Sequence, residues 1–325
     1  MAPSRRFGMT VPLDKVPLHA QREWIEELVD LGYTDVWSTE ADGSDAFTPL
    51  ALASVWGPSL RLGTAIVPAY TRGPALIAQS VGTMAQAAPG RFVLGLGASS
   101  NIIVERWNGM EFGEPYKRVR DTLRFLRRAL TGEKVTETYD TFTVGGFRLG
   151  ASAVPEQPVP ILVAALREGM LDLAGKEGDG AIINWLSADD VAQVAPIVTA
   201  HGADKEVVAR IFVAPSEDTE TVRAQARRAV AAYVNVPVYA AFHRWVGRGP
   251  LLEDVWANWA AGDRAAALEA MPDEVVDQLI VHGSYDACRA HIQRYVDNGV
   301  TTPALSIMPL ADVDVRRAVR ELAPR

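Results

Sequence analysis

Apolar residues along the chain fall into two alternating patterns. Short runs rich in β-branched residues predict strands, and longer stretches with apolar positions three or four apart predict helices. RRFGMTV (5–11) reads as a first strand. PLHAQREWIEELVDLG (17–32) reads as a helix, with Leu18, Ile25, Leu28 and Leu31 at helical spacing and Gly32 closing it. DVWSTE (35–40) and AFTPLALASVWG (46–57) repeat the pair, as do RLGTAIVPA (61–69) and PALIAQSVGTMAQA (74–87), and RFVLGLGAS (91–99) opens a fourth unit.

Further along, VPILVAA (159–165) precedes a helix over 167–178, GAIINWLS (180–187) precedes one over 188–202, and VVARIFVAP (207–215) and PALSIMP (303–309) complete eight strands before a terminal helix. Strands alternating with helices imply parallel pairing through right-handed crossovers. Eight such units in 325 residues predict one closed (β/α)8 barrel spanning 1–325. Two connections are too long for plain crossovers. Residues 100–158, after strand four, hold a helix (114–132) and a Gly-Gly hairpin pattern (133–150), and residues 216–300, after strand seven, hold several helical patterns. Long ordered insertions in a barrel are expected to shape its mouth.

Composition narrows the function classes. Hydrophobic residues make up 48% and charged residues 22%, ample for a packed core, and the formal net charge is −8 with no dense Lys/Arg block. Nucleic acid is therefore not an expected partner. No window approaches the ~18 uninterrupted apolar residues of a membrane span, so a cytoplasmic protein with no membrane partner is expected. The single cysteine, Cys288, excludes an internal disulfide or a cysteine metal cluster, and His243 and His282 lack metal-ligand spacing, so no metal is expected.

Three strand ends carry candidate chemistry. GRFVLGLGASSN (90–101) has Gly95 and Gly97 but Ser100 where a dinucleotide-binding G-x-G-x-x-G needs its third glycine, and no following strand arrives about 20 residues on. The pair either lets backbone approach a ligand or relieves crowding inside the barrel. At VAALREGMLDLAGKEGDG (163–180) a helix begins near Arg167–Gly169. Its free N–H groups and positive dipole end suit a phosphate, although an ordinary turn is equally compatible. In GTAIVPAYTRGP (63–74), Ala65, Ile66 and Val67 offer either an apolar wall for a planar ring or plain core packing.

Taken together, DVWSTEADGSDAFTPLALAS, RLGTAIVPAYTRGPALIAQSVGTMAQAAPGRFVLGLGAS, PYKRVRDTLRFLRRALTGE and VPILVAALREGMLDLAGKEGDGAIINWLS resemble, in order, blocks of the bacterial luciferase-like family, especially its actinobacterial F420-dependent oxidoreductases. The resemblance runs from about residue 5 to 190 and returns at the final strand. It implies a TIM barrel that binds coenzyme F420, or alternatively FMN, at the C-terminal strand ends. It also implies a non-prolyl cis peptide at Ala65–Ile66 whose bulge, with Val67, backs the ring. Thr39, the block Gly97, Ala98 and Ser99, and the block Ala165, Leu166, Arg167, Glu168, Gly169 and Met170 are implied to line the cofactor and its phosphate. Family members commonly dimerise through helices that correspond here to about 46–57 and 74–88.

Thr39 and Glu40 stand where some sugar-phosphate dehydrogenases of the family carry an Asp-His pair, and no luciferase-type histidine follows strand two. Hydride transfer is the cofactor's chemistry, and the protein must orient it and handle protons. Glu40, at a strand end, is the catalytic candidate, with helix capping or a salt bridge as its bland alternative. Glu105, Trp107, Asn108 and Trp185 are candidate substrate contacts. The expected activity is hydride transfer between F420 and a small organic substrate. A reduced-FMN monooxygenase and a non-catalytic ligand-binding barrel are the alternatives.

Overall fold

A computed structural model of the chain describes residues 6–13 and 16–324; Arg5, at the start of the strand predicted over 5–11, lies outside them. Eight strands, β1 (Gly8–Val11), β2 (Asp35–Ser38), β3 (Arg61–Thr64), β4 (Phe92–Gly97), β5 (Ile161–Ala164), β6 (Gly180–Asn184), β7 (Glu206–Ala214) and β8 (Thr302–Ile307), pair in parallel in chain order. β8 pairs back on β1 through Gly8↔Ala304, so the sheet closes. The barrel expected from the alternation is the barrel observed.

Side-chain alternation along each strand sorts residues onto two surfaces. Met9, Leu62, Leu94, Leu96, Val163, Ile183, Ile211 and Leu305 face outward into a continuous core with the helices. Val93, Leu162, Ile182, Val208 and Ala304 face inward around Trp37. The indole fits because its neighbours have no side chains: a Cβ on Gly8 would lie 2.9 Å from the ring and one on Gly63 would overlap it. Below this layer Arg61 pairs with both Asp35 and Glu206, and Thr302 donates to Glu206 at 2.6 Å, plugging the N-terminal end with compensated charge.

The first crossover helices are α1 (Arg22–Asp30), α2 (Phe47–Trp56), α3 (Pro74–Ala87), α4 (Pro115–Ala129), α5 (Glu168–Lys176) and α6 (Ala188–Thr199). The helix expected over 17–32 starts later. Gln21 accepts from Leu13 N and donates to Leu13 O and Val16 O, which holds it ahead of the helix. The strand expected over 61–69 stops at Thr64 and resumes as Val67–Pro68, paired with Leu96–Gly97. The strand expected over 180–187 ends at Asn184 because Trp185 turns to φ 53°. Ser187 and Asp190 form a capping box that starts α6.

The insertions prove smaller than expected. α4 packs on α3, α5 and β4 as an ordinary crossover, so the first excursion is the segment after β4 plus an antiparallel hairpin, Val135–Thr138 with Thr143–Phe147. After β7 come α7 (Thr219–Val234), α8 (Pro237–Trp245), α9 (Gly249–Ala260), α10 (Arg264–Glu269) and α11 (Asp273–Leu279), and the strand Ile280–His282 pairs beside β7. α12 (Tyr285–Asp297) then packs on α6, β7 and β8 in the crossover position, before α13 (Val315–Glu321) closes the chain. The inserted helices build a second core that includes Trp185 and Phe212, residues of the barrel's own C-terminal end. The excursion after β7 thus sits over the mouth. Among the described residues no helix is long and apolar enough to cross a membrane.

Candidate functional site

One step above Trp37, toward the strands' C-terminal ends, burial gives way. Thr10 in β1, Ala164 in β5, Asn184 in β6, Arg210 in β7 and Ser306 in β8 are half-buried at inward positions of otherwise enclosed strands. Thr39, Ala65 and Ile66, following β2 and β3, are half-buried as well. These residues are the floor of an open mouth, where barrel enzymes assemble their sites.

The floor is divided chemically. On adjacent strands β3, β4 and β5 it is small and apolar, formed by Ala65, Ile66, Gly97 and Ala164. A Cβ on Gly97 would lie 2.8 Å from the Ala164 Cβ and 2.9 Å from the Ile66 side chain, so glycine here lets those two side chains pack closely against β4. The Ala65–Ile66 peptide is cis, as the resemblance implies. Ser99, just past β4, takes left-handed backbone at φ 65°.

Across the mouth, β6, β7, β8 and β1 contribute Asn184, Arg210, Ser306 and Thr10. Arg210 Nη2 donates to Ser306 Oγ at 3.2 Å, and the guanidinium lies 4.9 Å from the Phe212 ring centroid. Its Nε has no partner, and no carboxylate pairs with it among the described residues. Burial pushes this guanidinium below its ordinary pKa, and the nearby Tyr233 and Tyr239 hydroxyls oppose the shift. Tyr239 donates to Asn184 Oδ1 at 3.0 Å. Trp185 stacks between Phe212 at 4.0 Å and Tyr233 at 4.2 Å, with its Nε1 also unpartnered.

The sequence candidates distribute unevenly around this floor. Glu40 is gripped by Arg72, whose Nε and Nη2 reach its two oxygens at 2.8–3.1 Å, and it accepts from Ala46 N at 3.1 Å. Both oxygens are taken, which favours fastening over proton exchange. Glu40, Arg72, Pro68, Ile103 and Asn108 line one cavity of about 300 Å³, so the structure does bring Glu40 and Asn108 together. Glu105 and Trp107 lie on a π-helical turn, Ile102–Trp107, where Trp107 is 55% exposed. Trp185 is 3% exposed and belongs to the aromatic stack, not to an open surface.

Ala165 is buried and donates to Ile182 O, while Arg167 is the exposed N-cap of α5, with Glu168 and Gly169 exposed behind it. No side chain caps this helix start, leaving its first N–H groups open to an anion. A separate cavity of about 610 Å³ lies where α6, α7, α11 and α12 meet. Its arginines are paired internally, Arg223 on Asp277 and Arg294 on Asp189.

Sequence reasoning missed the polar half of the mouth. A signal existed: VVARIFVAP carries one arginine at an inward position of an otherwise apolar strand.

Residues 1–302 match the family model of luciferase-like monooxygenases. The chain belongs to that family. A 5,10-methylenetetrahydromethanopterin reductase of Methanolobus tindarius is 30% identical to this luciferase-like chain over 305 residues, covering 91% of it and 92% of the relative. Rv3520c of Mycobacterium tuberculosis, provisionally described as a coenzyme F420-dependent oxidoreductase, is 27% identical, covering 88% and 90%. Among solved structures, the coenzyme F420-dependent tetrahydromethanopterin reductase of Methanopyrus kandleri superposes with a TM-score of 0.79 at 19% identity, covering 98% of this chain and 97% of that one.

Proposed function

We propose that this luciferase-like chain is an oxidoreductase that moves a hydride between coenzyme F420 and a small organic substrate. The observation that carries the reading is the divided mouth, a slot of small residues on β3–β5 facing polar groups on β6–β1. This wall suits a planar ring: the missing Cβ of Gly97 lets Ala164 and Ile66 pack close against β4, and Ala65 and Ile66 face the mouth, while Val67, expected beside them, is fully buried in the outer core and backs the wall from behind. Thr39 and Gly97–Ser99 border the ring. The open start of α5, from Ala165 and Leu166 through Arg167, Glu168, Gly169 and Met170, receives the phosphorylated tail. Support at the sequence level comes from Rv3520c, described as F420-dependent, and from the reductase of Methanolobus tindarius.

When bound, F420 supplies the hydride-carrying ring. The chain's own residues bind and orient. Glu40 acts through Arg72 as a positioning residue, tying the end of β2 to the loop after Pro68 and so setting the wall beside Thr39. Trp185, Phe212 and Tyr233 close the opposite rim and exclude water. The protein works in the cytoplasm as a homodimer through α2 and α3, where Val55 is 75% and Leu76 48% exposed.

Titrating purified protein with F420 and separately with FMN, following fluorescence, tests the reading. Saturable F420 binding, with FMN weaker, is the expected result. Tight FMN binding with none for F420 would replace it by a reduced-flavin monooxygenase on the same mouth.

A further inference from the structure

The barrel contains two inward arginines in very different settings. Arg61, at the N-terminal end, is met by Asp35 and Glu206. Arg210 lies four residues after Glu206 on the same strand. It has a single hydrogen bond, to Ser306, and no counter-charge among the described residues. A guanidinium partly withdrawn from water, its Nε fully buried, carries without a carboxylate a desolvation cost that nothing inside the protein returns. The structure therefore shows how this chain satisfies a barrel arginine when the role is structural, and Arg210 is not treated that way.

The surroundings point the same way. Arg210 Nε and Trp185 Nε1 are buried donors without acceptors, and they flank one ring, Phe212. Tyr239 occupies Asn184 Oδ1, which leaves the amide's donor side free. The polar half of the mouth is thus rich in donors, short of acceptors, and positively charged at one point.

We infer that this half of the mouth binds the carboxylate of a small organic acid through Arg210, so that the substrate of the proposed oxidoreductase is carboxylate-bearing and not neutral. The inference rests on the F420 reading for the word substrate, while the anion site itself stands on the geometry of β6–β8. A planar guanidinium fork matches a carboxylate in two parallel bonds. Asn184, Ser306 and Thr10, the other polar residues of this half, are neutral, so the site lacks the second cation that a phosphate dianion calls for. Arg210 also lies across the barrel from the Ala65–Gly97–Ala164 slot, which leaves the ring site to the cofactor.

The test uses the full-length protein with and without F420. Acetate, propionate, succinate and benzoate, each beside its amide, are titrated by calorimetry and by thermal melting, with inorganic phosphate as a control. At least one carboxylate is expected to bind saturably and about tenfold or more tightly than its amide, the strength expected of a charge-assisted bond. Arg210→Met should abolish that preference, and Arg210→Lys, which keeps the charge but loses the fork, should weaken binding severalfold. Should Arg210→Met fail to fold, Arg210→Lys alone decides. Absence of saturable carboxylate binding, equal binding of acid and amide, binding of phosphate alone, or unchanged binding in the folded variants overturns the inference. F420 affinity is read separately on the wild type by fluorescence. Its absence there would refute the proposed function and leave the carboxylate result readable.

Discussion

Gly95 and Thr64 lock β4 to β3 by mutual hydrogen bonds: the Thr64 hydroxyl donates to Gly95 O at 2.9 Å and accepts from Gly95 N at 2.8 Å. A Cβ on Gly95 would overlap the Thr64 carbonyl oxygen, a backbone atom with nowhere to go. Gly95→Ala should therefore destabilise by about 3 kcal/mol or more, in the range of severe overpacking. Gly97→Ala meets the Ala164 and Ile66 side chains instead, and should fold while binding F420 about tenfold or more weakly, because the new methyl displaces Ile66 and reshapes the wall. Urea melts and F420 titration of the two variants separate these outcomes, and equal stability loss at both positions would contradict the assignment.

Glu40 presents a sharper choice. Held by Arg72 at a site where the two side chains are 16% and 20% exposed, it should act by position. Glu40→Gln keeps the shape and loses the charge, so a stability loss of about 1–2 kcal/mol is expected from the weakened charge-assisted bonds. The pH profile of turnover should keep its form, with the change confined to KM. A general acid or base would behave otherwise, with kcat falling ~100-fold or more and one limb of the profile missing.

His243 gives stability a pH dependence of its own. The ring is fully buried, its Nδ1 faces Arg248 Nη1 at 3.3 Å and its Nε2 has no partner. Burial first, and then the Arg248 charge, push its pKa from 6.5 down to about 3. Between those values the unfolded chain takes up a proton that the folded ring refuses, so stability falls as pH drops through this window. His243→Phe should flatten that part of the stability curve relative to wild type, measured by urea denaturation across the same pH range. Parallel curves would show that the histidine does not titrate as described.

The proposed homodimer would bury Val55 and Leu76. Replacing both with glutamate should convert a dimer to a monomer in sedimentation velocity with the fold intact by circular dichroism. A wild-type monomer at micromolar concentration would remove the proposal.

Much of this architecture is legible in the chain itself. Strand and helix alternate with periods of two and 3.6 residues, and those periods depend on local chemistry, so the eight βα units, their parallel order and the closed barrel followed from the pattern. Ordered blocks around Ala65–Val67 and Gly97–Ser99 point to the family and to the strand ends where the candidate site lies. The reason is local in each case: small residues at strand ends and glycine at a close approach are written one position at a time.

What the tertiary structure decided is everything that depends on which residues meet across the barrel. The sequence leaves Glu40 open between a proton-exchanging carboxyl and a salt-bridged one, and only the fold brings Arg72, 32 residues away, to both of its oxygens. For Trp185, a candidate substrate contact in the sequence, only the fold brings Phe212 and Tyr233 onto its two faces. Arg61 and Arg210 are alike in sequence, each a single arginine in an apolar strand. Only closure of the ring brings Asp35 and Glu206 to the first and leaves the second facing an open mouth, because compensation of a buried charge is a property of neighbours in space and not along the chain.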